Sequence, residues 1–406
     1  MIEQQNWWKL SSIQIGGVVC LPVIMIGQTI SQTYGFASAV LGILIGNAIL
    51  LFMGLIIAKM SCQNRKTTME NAVEYFGEKG VAFFALALSI SSLVWFSVQL
   101  KVMTLSMLDL LSIQSTPILE GLCNLVLGML ITLVVYFGIK AMEILSNISM
   151  PLLLLTLAYA WYTTDKHIPS STQPVTLGAV STIIAMAIAY VIDLPTFLRH
   201  AQSTKHGIVS ILVIFVFTIP VLEIIGVYLA SGQTGNILDV LKGNKGYVWT
   251  LWVTLFLIMA GWTTNNMNLY SGAVSMCSFL KKMSLGTATL IFGGLGTILA
   301  NFELLKNLES FLAGIGIVIA SMGAVVITRY LIVQISGKQI TPMDYPWHFL
   351  AWIIGVSIGL ISYTFPLYSL TSITTIDAAL GAHLGTILGS LLILLNRKTY
   401  EEAYAR

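Results

Sequence analysis

Five polar side chains cluster within six positions of the otherwise apolar segment IMAGWTTNNMNLYSGA, namely Thr263, Thr264, Asn265, Asn266 and Asn268. Such groups are costly when they face lipid without a hydrogen-bond partner. Asn265 and Asn266 point away from the arc that the other residues share at about 3.6 residues per helical turn, namely Ala260, Thr263, Thr264, Met267 and Asn268. The adjacent hydroxyls of Thr263 and Thr264, about one turn after the small residue Ala260, offer hard oxygen ligands, which suit an alkali cation. The alternative is that these side chains hydrogen-bond between helices.

A second polar surface is predicted in the segment SISSLVWFSVQLKVM. Ser92, Trp95 and Gln99 are spaced i, i+3 and i+7, so they fall on one helical face. A buried indole gives a flat apolar platform, and the amide one turn away gives a donor and an acceptor. This combination suits a planar, hydrogen-bonding heterocycle, although a membrane Trp also serves as an interfacial anchor or a packing residue.

The elements that must position these residues are membrane helices. Of the 406 residues, 56% are hydrophobic and 9% are charged, whereas soluble domains carry about 25% charged residues. Apolar runs close to the length of about 20 residues that crosses a bilayer recur along the chain. They predict an all-α polytopic protein with twelve spans at about 11–34, 36–60, 81–111, 116–138, 141–163, 174–198, 206–231, 247–272, 285–301, 305–334, 345–365 and 376–396.

The distribution of Lys and Arg predicts the orientation of these spans. With the N-terminus inside, fifteen of the 20 Lys and Arg residues lie on the cytoplasmic side, and the other five are Lys101, Lys166, Lys242, Lys245 and Lys306. The positive-inside rule therefore predicts both termini in the cytoplasm. We expect the protein to lie in the cytoplasmic (inner) membrane. We recognise no cleavable signal peptide, because the first apolar stretch is too long and lacks a small-residue cleavage site. The net charge of +3 is thus a topology signal and does not indicate nucleic acid.

Short connections between the predicted spans indicate one membrane domain over residues 1–406. No GxxxxGK[ST] loop is present, which leaves a secondary transporter, a channel or a membrane enzyme. The four cysteines lack paired spacing, so we expect neither a disulfide framework nor a metal site built from them. The five histidines form no HExxH motif, which argues against an enzyme, and nothing indicates an organic cofactor. The sequence is compatible with a monomer.

Two of the predicted spans are interrupted by helix-breaking residues. The first contains Gly16, Gly17, Pro22 and Gly27, and the sixth contains Pro195. Proline removes a backbone hydrogen bond, and freed backbone groups at membrane depth are tolerated only where protein or a cavity satisfies them. The alternative is that Pro and Gly are simply common in membrane helices.

The positions of the two interruptions suggest internal repeats. Repeats at about 11–163 and 174–334, with extra helices at about 345–396, would each begin with an interrupted helix. That arrangement indicates an inverted-repeat transporter whose binding site lies at the membrane midplane between the broken helices.

Two acidic residues fall inside predicted spans. Asp193 stands in AYVIDLPTFLRH, and Glu223 follows Pro220. Intramembrane acids mark functional sites, so each is a candidate for proton coupling or gating. Asp193 could instead cap the helix that follows, and we favour this reading because an Asp before Leu-Pro suits an N-cap position. For Glu223, a structural hydrogen bond is the alternative.

The chain resembles the nucleobase–cation symporters, the cytosine permease group of purine and pyrimidine transporters. The matching strings, spread in order over nearly the whole chain, are LGILIGN, TTMENAVEYFGEKG, WFSVQ, DLPTFLRH, WTTNNMNLY and ILLNRKT. The resemblance implies two five-helix inverted repeats plus two extra helices, like the bacterial leucine transporter. It also implies a sodium ion bound by the carbonyls of Gly16, Val19 and Ala260 and the hydroxyls of Thr263 and Thr264.

For the cargo, the resemblance implies that Trp95 stacks on the ring and that Gln99 matches a Gln used by the hydantoin branch. Ser92 replaces a hydrogen-bonding Gln of the cytosine permeases, and Ala260 replaces an Asn, as in the hydantoin transporters. An Ala-rich stretch at 185–189 occupies the place of an aromatic residue and a Ser, so Tyr190 is the candidate for the second aromatic.

These observations predict a sodium-coupled importer of one small planar heterocycle, a nucleobase or a cytosine-, purine- or hydantoin-like ring, working by alternating access. Trp95 would stack, and Gln99 and Ser92, with Asn265 or Asn268, would read the edge of the ring. The alternative is a proton-coupled symporter of the same fold, with Asp193 or Glu223 as carrier. Its cargo could be a nucleobase, a vitamin precursor, an amino acid or an amine.

Overall fold

The computed structural model describes residues 4–163, 176–231, 246–280, 282–302, 304, 308–337, 341 and 344–404. Several predicted features lie outside these residues: Lys166, Lys242, Lys245, Lys281, Lys306, Lys338, Arg406 and the first residues of the second repeat. Within the described residues the named elements are all helices, and one isolated parallel β-bridge joins Gln5 to Ala201.

Fifteen α-helices make up the described part of the chain. In order they are α1 Trp7–Val18, α2 Leu21–Tyr34, α3 Phe36–Asn64, α4 Thr68–Leu110, α5 Pro117–Tyr136, α6 Ile139–Thr163, α7 Gly178–Ile192, α8 Leu194–Leu198, α9 Thr204–Leu212, α10 Ile219–Ser231, α11 Tyr247–Phe279, α12 Leu285–Leu299, α13 Leu308–Ser336, α14 Tyr345–Thr364 and α15 Thr374–Tyr404. A π-helical segment, Val213–Thr218, joins α9 to α10, and a 3₁₀ turn, Pro366–Tyr368, precedes α15.

Nine helical segments in the described part of the chain are long and apolar enough to span a bilayer, and the bent pair α1–α2 raises this number to ten. The other two predicted spans also form helices. The α6 helix has 25 residues with Pro151 inside it, and α12 has 15 residues, fewer than the roughly 20 that a straight crossing needs. The all-helical, multi-spanning prediction is therefore confirmed.

The first predicted span is broken near its middle. The α1 helix ends at Val18, α2 begins at Leu21, and their axes differ by 58°. Pro22 lies in the first turn of α2, where its missing N–H costs no helical hydrogen bond. The break therefore falls just before the proline, as helix physics requires.

The sixth predicted span is interrupted only close to its end. Asp193 separates α7 from α8, which has five residues and contains Pro195. Residues Gly178–Leu198 together still form one apolar span. The predicted second half-helix is thus little more than a single turn, because α8 ends at Leu198.

The third predicted span is longer than its apolar run indicates. The α4 helix begins at Thr68 with a capping box, in which Thr67 Oγ1 accepts from the Glu70 N–H at 3.1 Å and Glu70 Oε2 accepts from the Thr67 N–H at 2.7 Å. The helix changes direction at Gly77, whose φ of +68° favours glycine. The segment that connects the second and third predicted spans is therefore helical up to residue 81. The same helix, α4, contains Trp95 and packs against α11.

Close contact between α2 and α10 holds the second half of the broken span in place. A Cβ at Gly226 would overlap the carbonyl oxygen of Ile24, and one at Gly27 would overlap the carbonyl oxygen of Glu223. The two backbones can approach this closely only because both positions lack a side chain, as is common at membrane helix interfaces.

We predict that Gly226→Ala lowers the thermal unfolding temperature of the detergent-purified protein, because the new methyl group forces α2 and α10 apart. Overpacking of this kind costs about 1–3 kcal/mol. Gly294→Ala is the matched control, since a Cβ there meets nothing within 4 Å and Ala favours the helix. Equal unfolding temperatures for the two variants would contradict this description of the interface.

Candidate functional site

The break between α1 and α2 leaves the last carbonyl groups of α1 without helical partners. Val19 closes the helix by donating its N–H to the Ile15 carbonyl at 2.9 Å, and its own φ and ψ of −77° and 89° are not helical. The Gly16 carbonyl accepts instead from the Thr264 hydroxyl of α11 at 3.4 Å. The break and the polar segment of α11 are therefore in direct contact.

The two threonines of α11 lie side by side at this break. Thr263 donates its hydroxyl to the carbonyls of Met259 at 2.9 Å and Ala260 at 3.2 Å. A Cβ placed on Gly16 would lie 3.2 Å from Thr263 Cβ, so α1 and α11 touch across a glycine. Of the five predicted sodium ligands, Gly16, Thr263, Thr264 and Ala260 are connected by these contacts, and Val19 is fully buried at the break itself.

Sequence reasoning missed one oxygen beside this cluster. Ser146 of α6 is buried, and its Oγ would lie 3.0 Å from a Cβ on Gly16. A serine in an apolar helix gives no distinctive signal, because it can satisfy its hydroxyl on its own helix. Hydroxyl and carbonyl oxygens are the ligand type that a hard cation prefers.

A cavity of about 110 Å³ lies next to this oxygen cluster, between the α1–α2 break and helices α4, α7 and α11. Its lining includes six predicted residues, namely Ser92, Trp95, Tyr190, Asp193, Thr264 and Asn268. Much of the remaining wall is apolar, including Val23, Leu88, Met186, Phe197 and Met267. An apolar cavity of about 150 Å³ holds one benzene ring, so this smaller volume leaves room for at most one small ring.

Two predicted substrate residues lie behind the cavity wall. Asn265 is fully buried, donates to the Phe96 carbonyl at 3.1 Å, and accepts from Asn268 Nδ2 at 3.3 Å. Gln99 is also buried and packs against Gly261 of α11, and its Oε1 has no hydrogen-bond partner among the described residues. Asn268 therefore faces the cavity, whereas Asn265 holds the Asn268 amide in position.

The candidate second aromatic is anchored through its hydroxyl. Tyr190 donates to Gln14 Oε1 at 2.8 Å, and Gln14 Nε2 donates to Ser210 Oγ at 2.6 Å. Gln14 is completely buried in α1. This chain of hydrogen bonds ties α7 to α1 and α9, and it leaves the Tyr190 ring at the cavity wall, 5.9 Å from the Phe215 ring between centroids.

Asp193 lines the cavity and does not cap a helix as predicted. It occupies the position before α8, but its side chain accepts no backbone N–H there. Its ψ of 3° departs from the extended conformation that is typical of an N-cap residue. Instead, Oδ1 accepts from the Thr196 hydroxyl at 2.7 Å and Oδ2 accepts from the Ser271 hydroxyl.

Glu223 lies away from the cavity, in the interface between α10, α2 and α3. It is completely buried, and Oε2 accepts from Asn47 Nδ2 at 2.6 Å. Its Oε1 has no hydrogen-bond partner in the described part of the chain. The Asn47 amide also donates to the Ile43 carbonyl of the same helix, α3, at 2.9 Å. The Glu223 carboxyl group is therefore bound to an amide that α3 already orients.

The arrangement is suited to binding. The described residues contain no group of three or more His, Cys, Asp or Glu that could hold a metal ion. What they do contain is a cluster of neutral oxygens at a helix break and, beside it, a ring-sized cavity with an indole in its wall.

Comparisons with known proteins agree with this geometry. Residues 3–389 match a family described as permease for cytosine/purines, uracil, thiamine, allantoin. A cytosine permease from Escherichia coli (strain K12) is 25% identical over 410 residues, covering 94% of this chain and 93% of the permease.

Solved structures with a similar fold cover nearly the whole chain. The nucleobase-cation-symport-1 family transporter Mhp1, in a closed conformation with bromovinylhydantoin bound, has a TM-score of 0.80 at 13% identity, covering 97% of this chain and 94% of Mhp1. The inward-facing conformation of Mhp1 has a TM-score of 0.71 at 15% identity and covers 97% of this chain and 93% of its own.

A Na⁺-coupled sialic acid symporter in a substrate-bound outward-open state has a TM-score of 0.70 at 11% identity, with coverage of 96% of this chain and 91% of the symporter. These likenesses show the fold, and the family match extends over most of the sequence. The chain therefore belongs to the permease family for cytosine/purines, uracil, thiamine and allantoin, and it is a multi-pass membrane transporter and not an enzyme.

Proposed function

We propose that this transporter is a sodium-coupled symporter that imports a nucleobase or a related small planar heterocycle by alternating access. The observation that carries the proposal is the contact between Thr264 and the Gly16 carbonyl at the helix break, directly beside the cavity lined by Trp95. Thr264 belongs both to the oxygen cluster and to the cavity wall. One residue can thus respond to the ion and to the cargo.

Sodium would be held by the carbonyls of Gly16, Val19 and Ala260 and by the hydroxyls of Thr263 and Thr264. Broken membrane helices supply such carbonyls where an unbroken helix cannot. The similarity to a Na⁺-coupled symporter of the same fold supports this choice of ion. Since ion and cargo bind together, each raises the affinity for the other, and the inward sodium gradient supplies the free energy of transport.

The cargo would stack on Trp95 in the cavity, with Tyr190 as the second aromatic and Ser92 and Asn268 as hydrogen-bonding groups. Asn265 would act through Asn268, and Gln99 would reach the cargo after a side-chain rotation. Neither Asn265 nor Gln99 lines the cavity. Asn265 would therefore position Asn268, and Gln99 would contact the cargo only after its side chain rotates. The hydantoin bound to Mhp1 and the cytosine of the bacterial permease are rings of this size class.

Two inverted repeats would form the moving parts of the transporter. Repeats at about 11–163 and 174–334 would move against each other, and the helices at about 345–396 would be additional. Both termini would face the cytoplasm, because Lys and Arg are more frequent on the cytoplasmic side of membrane proteins. The protein would lie in the inner membrane. We expect the protein to work as a monomer.

We predict that Thr264→Ala raises the sodium concentration needed for half-maximal uptake by at least about tenfold, which corresponds to about 1.4 kcal/mol. The change removes one of the proposed ion ligands and leaves the helix intact. Uptake of radiolabelled cytosine, purines or hydantoins into proteoliposomes with imposed sodium gradients measures the effect.

Thr254→Ala is the matched control for this measurement. Thr254 lies on the same helix, is buried, and bonds the Thr250 carbonyl on its own helix at 2.8 Å. Its loss should leave the sodium dependence unchanged. An unaltered sodium requirement in Thr264→Ala would contradict the proposed ion site.

The second candidate function is proton-coupled transport with the same fold, with a nucleobase, vitamin precursor, amino acid or amine as cargo. The buried Glu223 carboxyl, one oxygen of which has no hydrogen-bond partner among the described residues, favours this candidate. A proton carrier must exchange its proton with both sides, whereas a structural carboxyl needs only its amide partner.

We predict that Glu223→Gln retains sodium-dependent uptake within about twofold of the unmodified protein. An amide still accepts a hydrogen bond from Asn47 but cannot carry a proton. Uptake driven by sodium alone, and separately by a proton gradient alone, measures the effect. Loss of uptake in a variant whose elution on gel filtration is unchanged would support proton coupling through Glu223 instead.

A further inference from the structure

The turn between α14 and α15 carries four exposed apolar side chains. Phe365 is 56% exposed, Leu367 98%, Tyr368 72% and Leu370 76%. These four residues lie in and beside the 3₁₀ turn Pro366–Tyr368, and we call them the apolar tip. Apolar surface that stays in contact with water is unfavourable, so a patch of this size calls for a partner that covers it.

The sequence around the apolar tip is almost free of charged residues. Between Asp344 and Arg397 it contains one acidic residue, Asp377, and no Lys or Arg. Asp377 is completely buried, so it adds no charge to the surface. The segment that follows α8 is different, since it reads HAQSTKH and is polar throughout most of its length. A neutral surface of aromatic and aliphatic side chains is typical of the membrane interface.

The Asp377 carboxylate holds the turn in place from the inside. Its Oδ2 accepts from the hydroxyls of Ser362 at 2.5 Å and Ser369 at 2.6 Å and from the Leu370 N–H at 3.1 Å. Its Oδ1 accepts from the Thr371 N–H at 3.0 Å and from the Thr371 hydroxyl at 2.7 Å. A carboxylate offers about four lone-pair sites, so these donors use its acceptor capacity fully. The polar groups of the turn are thus satisfied within the protein, and the apolar side chains are left on the outside.

The apolar tip continues the surface that α14 and α15 present to lipid. Both helices are long and apolar enough to span a bilayer. The 20 residues of α14 correspond to a length of about 30 Å, which is the thickness of the hydrocarbon core. The tip therefore begins where the hydrocarbon ends. Exposed apolar side chains precede it at Leu360 and Ile361 and follow it at Leu380 and Leu384.

We propose that the apolar tip is a membrane anchor that inserts into the interfacial region of the bilayer, with phospholipid as its partner. Leu367 and Leu370 contact the acyl chains close to the headgroups. The rings of Phe365 and Tyr368, 6.2 Å apart between centroids, lie at the headgroup level, where aromatic side chains are enriched. The anchor fixes one end of α14 and α15 at the membrane surface, and it is independent of the ion and of the cargo.

Photo-cross-linking of the full-length protein in liposomes tests this assignment. p-Benzoylphenylalanine is introduced in place of Leu367 and, in a second variant, in place of Tyr368. Both side chains are exposed, so the replacement disturbs no packing. Each variant is reconstituted into palmitoyl-oleoyl phosphatidylcholine, illuminated, and weighed by intact-protein mass spectrometry. We expect both variants to gain the mass of one lipid, with a yield about tenfold above that of a position in water.

Two further positions calibrate the yield. Leu384 is 59% exposed on the membrane-spanning part of α15, and the same probe there should give the lipid adduct efficiently. Gln202 is exposed in the polar segment after α8, and the probe there should give little adduct. Yields at Leu367 and Tyr368 that approach the yield at Leu384 support the membrane anchor.

A lipid yield at both tip positions no greater than that at Gln202 would overturn the assignment, because it would place the apolar tip in water. A product with twice the mass of the chain, seen as a dimer on a denaturing gel, would overturn it as well and would identify a second copy of the chain as the partner. Neither result would affect sodium-dependent uptake, so the anchor and the proposed function fail separately.

Discussion

The carbonyl groups that the α1–α2 break leaves without partners in their own helix are the constraint on which the rest of this structure depends. Backbone polar groups at membrane depth must find partners inside the protein, and here the partner is the hydroxyl of Thr264 on α11. Thr264, Asn268 and Ser271 lie along one face of α11 and all line the cavity. A single helix face thus connects the break, the stacking cavity and the buried carboxylate of Asp193.

Much of the fold could be predicted from the sequence, because the bilayer imposes a simple length and polarity rule on every span. Local breaks were harder to place. Pro22 indicated the first break, whereas the single turn after Asp193 and the bend at Gly77 depend on backbone angles and neighbouring helices. The buried ion pair of Arg329 with Asp344, 3.2 Å apart, joins residues that no periodic pattern links.

The candidate site could be predicted in part. Motif resemblance and helical spacing singled out Trp95, Tyr190, Asn268 and Thr264, and all four line one cavity. They could not decide which asparagine faces the cavity, since that depends on the rotation of α11 against α4. Gln14, Ser146 and Ser271 were missed because isolated polar residues in apolar helices carry no periodic signal, and their roles arise only from contacts between distant helices.

Thermal stabilisation of the detergent-purified protein by nucleobases, hydantoins and pyrimidine vitamin precursors, each in sodium and in choline buffer, tests the central claim most directly. Binding to the folded state raises the apparent unfolding temperature. The account predicts that at least one planar heterocycle stabilises the protein in sodium and has little effect in choline. Equal stabilisation in the two buffers would contradict the claim that ion and cargo bind together beside the α1–α2 break.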